Sequence, residues 1–310
     1  MKILITGIHG FVGSNLVATL KENHTIYGLD IITPIKEGVS FTFKWDDLGQ
    51  DTIPQVDAII HLAGKAHDTK NQAAAEVYFR VNTGLTQKIY DYFLKSSARK
   101  FIFFSTAKAA ADKVDGVLTE DVVPAPVGPY GESKIRAEKY IQEHPASEGK
   151  KVYILRPCMI HGPGNKGNLN LLFNVVKKGI PWPLGAFENR RTFTSIDNLS
   201  FVISRLLTKD VPSGIYNVGD DEPVSTNELV ELIAKSLGKK VHIWKLPKGL
   251  MNGVARVGGW LHLPLDPERL RKLTEDYVSS NMKIKEALGV ETMPVRAVDG
   301  MKKTLISFGE

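Results

Sequence analysis

Tyr130 and Lys134 stand four residues apart in Pro129-Tyr-Gly-Glu-Ser-Lys134, a spacing that puts both side chains on one face of a helix. A phenol ordinarily keeps its proton up to about pH 10 and is a poor base at neutral pH. A neighbouring ammonium stabilises the phenolate and lowers that value, making the oxygen a usable proton acceptor. The same spacing also occurs on a solvated helix face. The pair gains meaning from what the chain sets beside it.

Near the N-terminus, the apolar run Lys2-Ile-Leu-Ile-Thr6 meets Gly7-Ile-His-Gly10-Phe11-Val12-Gly13, and an amphipathic stretch, Ser14–Leu20, follows. A strand, a glycine-rich turn and a helix in that order suit a dinucleotide. The glycines permit a tight turn, close approach of backbone to a diphosphate, and close packing of helix on strand. The free N–H groups at the helix start then hold the phosphates. A strand-helix turn with no ligand is the plainer alternative. The next strand, Thr25-Ile-Tyr-Gly-Leu-Asp30, ends in an acid. An acid there accepts from ribose hydroxyls and repels a 2′-phosphate, which favours NAD over NADP.

These groups need a frame. Further strands are expected at Phe41–Lys44, Ala58–Leu62, Phe101–Ser105 and Val152–Leu155, and helices at about 76–95 and 130–143. Alternating strands and helices predict an α/β fold, a Rossmann-like doubly wound parallel sheet. Ligands of such sheets sit beyond the carboxyl ends of the strands, so Gly64, Thr106 and the Gly7–Gly13 turn would share one crevice. After Arg156-Pro157 the pattern becomes irregular, with loops at Gly162–Gly167 and Gly179–Gly185 and then short helices and strands, 227–237 and 280–288 among them. Residues 1–160 are expected to form the dinucleotide-binding domain. Residues 161–310 would form a smaller C-terminal α/β substrate domain, part of it returning to the sheet.

Composition excludes several classes. Met1-Lys2 leads straight into the first strand, so neither a leader nor a membrane span is expected, and the chain reads as cytoplasmic. A single cysteine, Cys158, excludes an intrachain disulfide, and its apolar strand points to packing. No zinc-ligand spacing and no nucleic-acid signature appears, so neither metal nor nucleic acid is expected. Residues 1–234 carry 26 basic and 26 acidic groups, whereas residues 235–310 carry 14 and 8, the whole net charge of +6. A basic lobe suits a phosphorylated substrate or an anionic surface, and scattered surface lysines are the competing reading. Lys248–His262 mixes apolar and basic groups and would rest on a membrane if the substrate were lipid-linked. Its four glycines disfavour a helix and predict a substrate-covering loop, which argues against membrane contact.

Over nearly its whole length the chain resembles the nucleotide-sugar epimerase and reductase branch of the extended short-chain dehydrogenase/reductase family. The matches are Gly7, Gly10, Gly13, Asp30, Asp47-Leu48, His61-Leu62-Ala63, Val81-Asn82, Ser105-Thr106, Tyr130 with Lys134, Arg156-Pro157, Gly162-Pro-Gly164, Arg191 with Asp197, and Tyr216-Asn-Val-Gly219. The resemblance implies a catalytic set of Thr106, Tyr130 and Lys134. Thr106 would bond the reacting sugar oxygen, Tyr130 would exchange its proton, and Lys134 would hold Tyr130 ionised while binding the nicotinamide ribose. It also implies cofactor contacts from Gly7, Gly10, Phe11, Val12, Gly13, Asp30, Asp47, Leu48, Leu62, Ala63, Gly64, Asn82 and Pro157, besides Tyr130 and Lys134. Lys65, Lys108, His161, Asn165 and Arg191 are the implied substrate contacts, with Arg191, or Arg190 beside it, on the diphosphate. A homodimer built from helices near Asn82 and Tyr130 is implied as well.

Departures from the family pattern narrow the reaction. The dehydratases follow the catalytic threonine with Asp-Glu, but Thr106 is followed by Ala107-Lys108. Ala107 also removes the cysteine that the 3,5-epimerase/reductases use. Ala109-Ala-Ala111 replaces the usual Val-Tyr-Gly, and Ser105–Lys108 with Lys65-Ala-His67 is similar to reductases of 4-keto-6-deoxy-N-acetylhexosamine nucleotides. His67 and His161 read either as sugar contacts or as ordinary polar residues. An NAD-dependent 4-epimerase of a UDP-hexose or UDP-N-acetylhexosamine leads, a 4-keto-sugar reductase using NAD(P)H follows closely, and a non-catalytic cofactor-binding sensor comes last because Tyr130 and Lys134 are both present.

Overall fold

The computed structural model describes residues 1–66, 74–165, 167–261 and 265–309; the candidate His67, and Lys166 in the loop expected at Gly162–Gly167, lie outside them. The apolar runs form seven strands: β1 (Lys2–Thr6), β2 (Thr25–Asp30), β3 (Phe41–Lys44), β4 (Ala58–His61), β5 (Lys100–Phe104), β6 (Lys151–Pro157) and β7 (Gly214–Val218). All pair in parallel, in the order β7-β6-β5-β4-β1-β2-β3. Ile3 lies opposite both Ile26 and Ala58. Strands covered on both faces must be apolar on both. Accordingly Ile3 and Ile5 pack with Leu16, Leu199 and Val202 on one side. Leu4 and Ile59 pack with Ile89, Phe93 and Ile141 on the other. The strand order reverses between β1 and β4, and this switch point opens the crevice.

The longer helices are α1 (Phe11–Leu20), α2 (Leu85–Lys95), α3 (Pro129–Glu143), α4 (Asn168–Lys177), α5 (Ile196–Thr208), α6 (Thr226–Ser236), α7 (Lys248–Trp260), α8 (Pro267–Thr274), α9 (Met282–Leu288) and α10 (Ala297–Ile306). Helices α1, α5 and α9 cover the first face of the sheet, and α2 and α3 the second. A further apolar cluster joins Leu169, Phe173, Trp182, Leu229, Ile233, Met251 and Met301 from α4, α6, α7, α10 and the loop after α4.

Two elements differ from expectation. The helix expected at 76–95 is interrupted: Ala75–Tyr78 is α-helical, Phe79–Gly84 is π-helical, and α2 follows. A widened turn of this kind re-aims side chains without ending the helix. The loop expected at 248–262 is instead helix α7. Burial of Met251, Ala255 and Gly258 on one face offsets the weak propensity of its glycines. Gly259 permits the contact with α8, since a Cβ there would stand 3.0 Å from Pro267.

Candidate active site

The glycine turn is shaped for close approach. Gly7 has φ +69°, and a Cβ on it would stand 2.9 Å from the Ala63 nitrogen. A Cβ on Gly13 would stand 2.6 Å from the Gly7 carbonyl oxygen. Gly10 caps α1 without a side chain, and no acid lies in the first turn, so the helix start offers its N–H groups outward. That cradle fits a dinucleotide diphosphate. Asp30 accepts from the His9 nitrogen at 3.0 Å and the Ile31 nitrogen at 2.7 Å, which fixes its carboxylate beside the turn. Asp47 and Leu48 are not brought to the crevice wall. Asp47 accepts from the Lys44 nitrogen at 2.8 Å and so caps its own turn. Leu48 borders a separate shallow hollow with Trp45 and Tyr92.

A crevice of about 680 Å³ opens above the carboxyl ends of the strands. Gly7, Gly10, Phe11, Val12, Gly13, Leu62, Gly64 and Pro157 line it, and Thr106, just beyond β5, converges on it with Tyr130 and Lys134 of α3. Pro129 at the first position of α3 suits a helix start. Thr106 is the N-cap of the short helix Ala107–Ala110, and its hydroxyl accepts from the Lys108 nitrogen.

The charge state departs from the sequence reading. Burial pushes the Tyr130 phenol above its ordinary value; a hydrogen bond with Thr106 pulls the other way, and Tyr78 adds to the rise. Burial lowers Lys134 to about 8, against a smaller opposing pull from Glu138. The Lys134 ammonium donates to the Phe104 carbonyl at 2.7 Å and lies 5.0 Å over the Phe103 ring. Its hydrogen bond therefore goes to the strand end, and in the protein alone burial is the largest influence on the phenol and leaves it raised, not lowered as the spacing suggests.

Behind the wall, buried groups hold the loops. Asn82, in the π-helical turn, accepts from the Lys65 nitrogen at 2.7 Å and donates to the Lys65 carbonyl and to Ser133. It supports the site without lining the crevice. The Ala63 nitrogen donates to Thr6 Oγ1 at 3.0 Å, and His61 links Thr6 to Thr86. Burial, with Lys134 nearby, holds His61 well below its usual range and thus neutral. Glu138 and Arg156, both buried, form a two-pronged ion pair, with Arg156 Nη2 2.6 Å from Glu138 Oε2, and Ser105 donates to the same carboxylate.

On the far wall Arg191 lines the crevice, where burial lowers its guanidinium below the ordinary value and Glu275 opposes, and it donates to the Lys272 carbonyl. Arg190 points outward toward Pro223 and Glu228, which separates the two arginines. Lys65, Lys108 and Asn165 also line the space. The Lys108 ammonium is already bonded to Asp112 at 3.0 Å. His161 is a correction. It is buried between Thr304 of α10, at 2.9 Å, and Asp220, at 3.4 Å, and with both ring nitrogens engaged there it does not line the crevice. Burial drives the Cys158 thiol up to about 12, consistent with packing. Sequence reasoning missed Met159, Thr192 and Tyr277 in the wall; they carry no motif, and only the fold carries Tyr277 back to Ala111, whose carbonyl it bonds at 2.8 Å.

Comparisons with known proteins agree with this geometry. A family model described as "NAD dependent epimerase/dehydratase family" matches residues 3–219. A UDP-glucose 4-epimerase of Vibrio cholerae is 32% identical over 262 residues, covering 79% of this chain and 78% of the relative. A GDP-6-deoxy-D-mannose reductase of Pseudomonas aeruginosa is 26% identical, covering 75% and 79%. The crystal structure of a UDP-glucuronic acid 4-epimerase from Bacillus cereus with NAD superposes at a TM-score of 0.77 and 22% identity, covering 100% of this chain and 99% of that one.

Proposed function

Since this chain belongs to the NAD dependent epimerase/dehydratase family, we propose that it is an NAD-dependent 4-epimerase of a UDP-linked hexose or N-acetylhexosamine. The observation that carries this reading is the convergence of Thr106, Tyr130 and Lys134 on the crevice that the glycine turn opens, with Ala107-Lys108 where a dehydratase needs two acids. The UDP-glucose epimerase of Vibrio cholerae supports the substrate class.

Gly7, Gly10, Gly13 and the start of α1 would hold the diphosphate of NAD, and Asp30 its adenosine ribose. When bound, NAD supplies the hydride acceptor, and then donor, at sugar C4. Thr106 positions the C4 oxygen. Tyr130 takes the hydroxyl proton as the bond to hydrogen is lost and returns it after the sugar has turned its other face. Lys134 contributes the positive charge that favours the phenolate in the loaded site. Arg191 grips the diphosphate bidentately, a task for which its planar fork is suited. Arg191 and the phosphate cradle fix the ends of the ligands, so the ring can turn between two fixed points.

Purified protein should interconvert UDP-glucose with UDP-galactose, or the N-acetyl pair, without added reductant. Absence of any isomer from all four sugars refutes the assignment. The second reading, a 4-keto-sugar reductase, draws support from the Pseudomonas relative; it requires stoichiometric loss of NAD(P)H absorbance when a 4-keto-6-deoxy sugar nucleotide is supplied. A cytoplasmic homodimer acting in polysaccharide synthesis completes the proposal.

A further inference from the structure

Helix α7 turns an unusual face outward. Its inner side, Met251, Ala255 and Gly258, packs into the C-terminal apolar cluster. Its outer side exposes Leu250, Val254, Val257 and Trp260, the last 81% exposed, with Leu261 next in the chain. Positions 250, 254, 257 and 261 recur at helical spacing, so they form one stripe. A stripe of this kind on a solvent face calls for an occupant.

Charge identifies the occupant. From Leu232 to Leu265 the chain contains no Asp or Glu, yet it carries Lys235, Lys239, Lys240, Lys245, Lys248 and Arg256. All six are exposed. Trp244, 53% exposed, shortly precedes the helix, and Trp260 closes it. Apolar side chains, two tryptophans and unopposed cations are what an anionic bilayer surface binds: rings and aliphatic groups enter the headgroup boundary while the cations meet lipid phosphates. A second copy of the chain fits poorly, because a two-fold contact sets a patch against itself and would oppose cation to cation. Among the described residues no helix is long and apolar enough to cross a membrane, so the contact is one of lying on the surface.

We propose that α7, with the Trp244–Lys248 segment before it, docks the protein on an anionic lipid bilayer. The proposal is independent of the reaction assigned above, since it concerns a face outside the crevice.

Flotation of the full chain with vesicles tests it. The protein should rise with vesicles of phosphatidylcholine mixed with phosphatidylglycerol, stay behind with phosphatidylcholine alone, and be released by high salt. Tryptophan emission should shift to the blue on binding, and less so in Trp260→Phe. The pairs Val257→Glu with Trp260→Glu, and Lys245→Glu with Arg256→Glu, should each lower the bound fraction about tenfold. Their thermal unfolding should match that of the parent, because every replaced side chain is exposed. Failure to float with the anionic vesicles, or equal flotation of the variants, overturns the proposal. So does a dimer in sedimentation that Trp260→Glu dissociates while no vesicle is bound.

Discussion

Asn82 and Lys65 are joined through both halves of one amide. The Lys65 N–H donates to Asn82 Oδ1 at 2.7 Å, and Asn82 Nδ2 donates to the Lys65 carbonyl at 3.1 Å and to Ser133 Oγ at 2.9 Å. Ser133 in turn donates to the Tyr130 carbonyl. The π-helical turn thus ties the loop after β4 to the start of α3. Asn82→Ala removes these three bonds, one of them buried, so stability should fall by about 1–3 kcal/mol. Turnover should fall as well, through misplaced Tyr130 and Lys65. A melting curve and kcat measured together check this, and loss of stability with unchanged kcat would show the clamp to be structural only.

Lys134 gives the cofactor-free protein a defined pH signature. Its ammonium titrates near 8 when folded, against 10.5 in the unfolded chain. Between those values the unfolded chain holds more protons than the folded one, so stability rises with pH across that window. Below pH 8 both states are protonated and the full cost of burying the charge is present. The gap corresponds to about 3 kcal/mol. Denaturant unfolding of the parent relative to Lys134→Met at pH 7 and pH 10 reads this difference, with the parent gaining on the variant as pH rises. A constant difference contradicts the assignment.

Tyr130→Phe removes the proton carrier while keeping the ring against Tyr78. Turnover should drop by about 10²–10⁴-fold, with NAD retention little changed because the glycine turn that would hold the phosphates is left intact. Thr106→Val should fall in the same direction by a smaller factor. Isomer formation by chromatography and bound NAD by mass spectrometry separate the two effects.

The sequence showed the sheet well because parallel strands buried on both faces read as continuous apolar runs, as at Ile3-Leu-Ile5 and Ala58-Ile-Ile60. The glycine turn was legible because its φ and packing demands admit only one residue type at Gly7 and Gly13. The C-terminal wall was not. Tyr277 and Met159 reach the crevice only through tertiary folding, and α7 holds because a buried face outweighs its poor propensity. His161 illustrates the opposite error. Its place beside a motif suggested sugar, while tertiary packing engages both ring nitrogens with Thr304 and Asp220. The Tyr130 phenol shows a third limit, because spacing reports a neighbour's charge but not the burial that opposes it.

Arg191 and Arg190, adjacent in sequence, should separate cleanly in kinetics. Arg191→Ala removes a bidentate partner in the crevice and should raise KM for the UDP-sugar by about 10–100-fold. Arg190→Ala, whose guanidinium faces Pro223 and Glu228 outside the crevice, should leave KM within about twofold, as surface changes usually do. Equal effects would mean that the diphosphate lies elsewhere.

Glu138 and Arg156 form a deeply buried ion pair, 0% and 2% exposed in their side chains. Breaking such a pair costs more than the pair contributes, because it leaves one charge buried without a counter-charge. Glu138→Leu should therefore destabilise the protein by about 3–5 kcal/mol. It also frees Ser105 and removes the group that favours the charged form of Lys134, so the folded ammonium should titrate lower still. Adding Arg156→Met to Glu138→Leu should recover much of the stability, since both charges are then gone and the space is filled by apolar side chains. It should not recover turnover, because Ser105 and Lys134 remain without their carboxylate. A double-mutant cycle in stability and kcat reads both quantities, and recovery of kcat together with stability would show that the pair acts through folding alone.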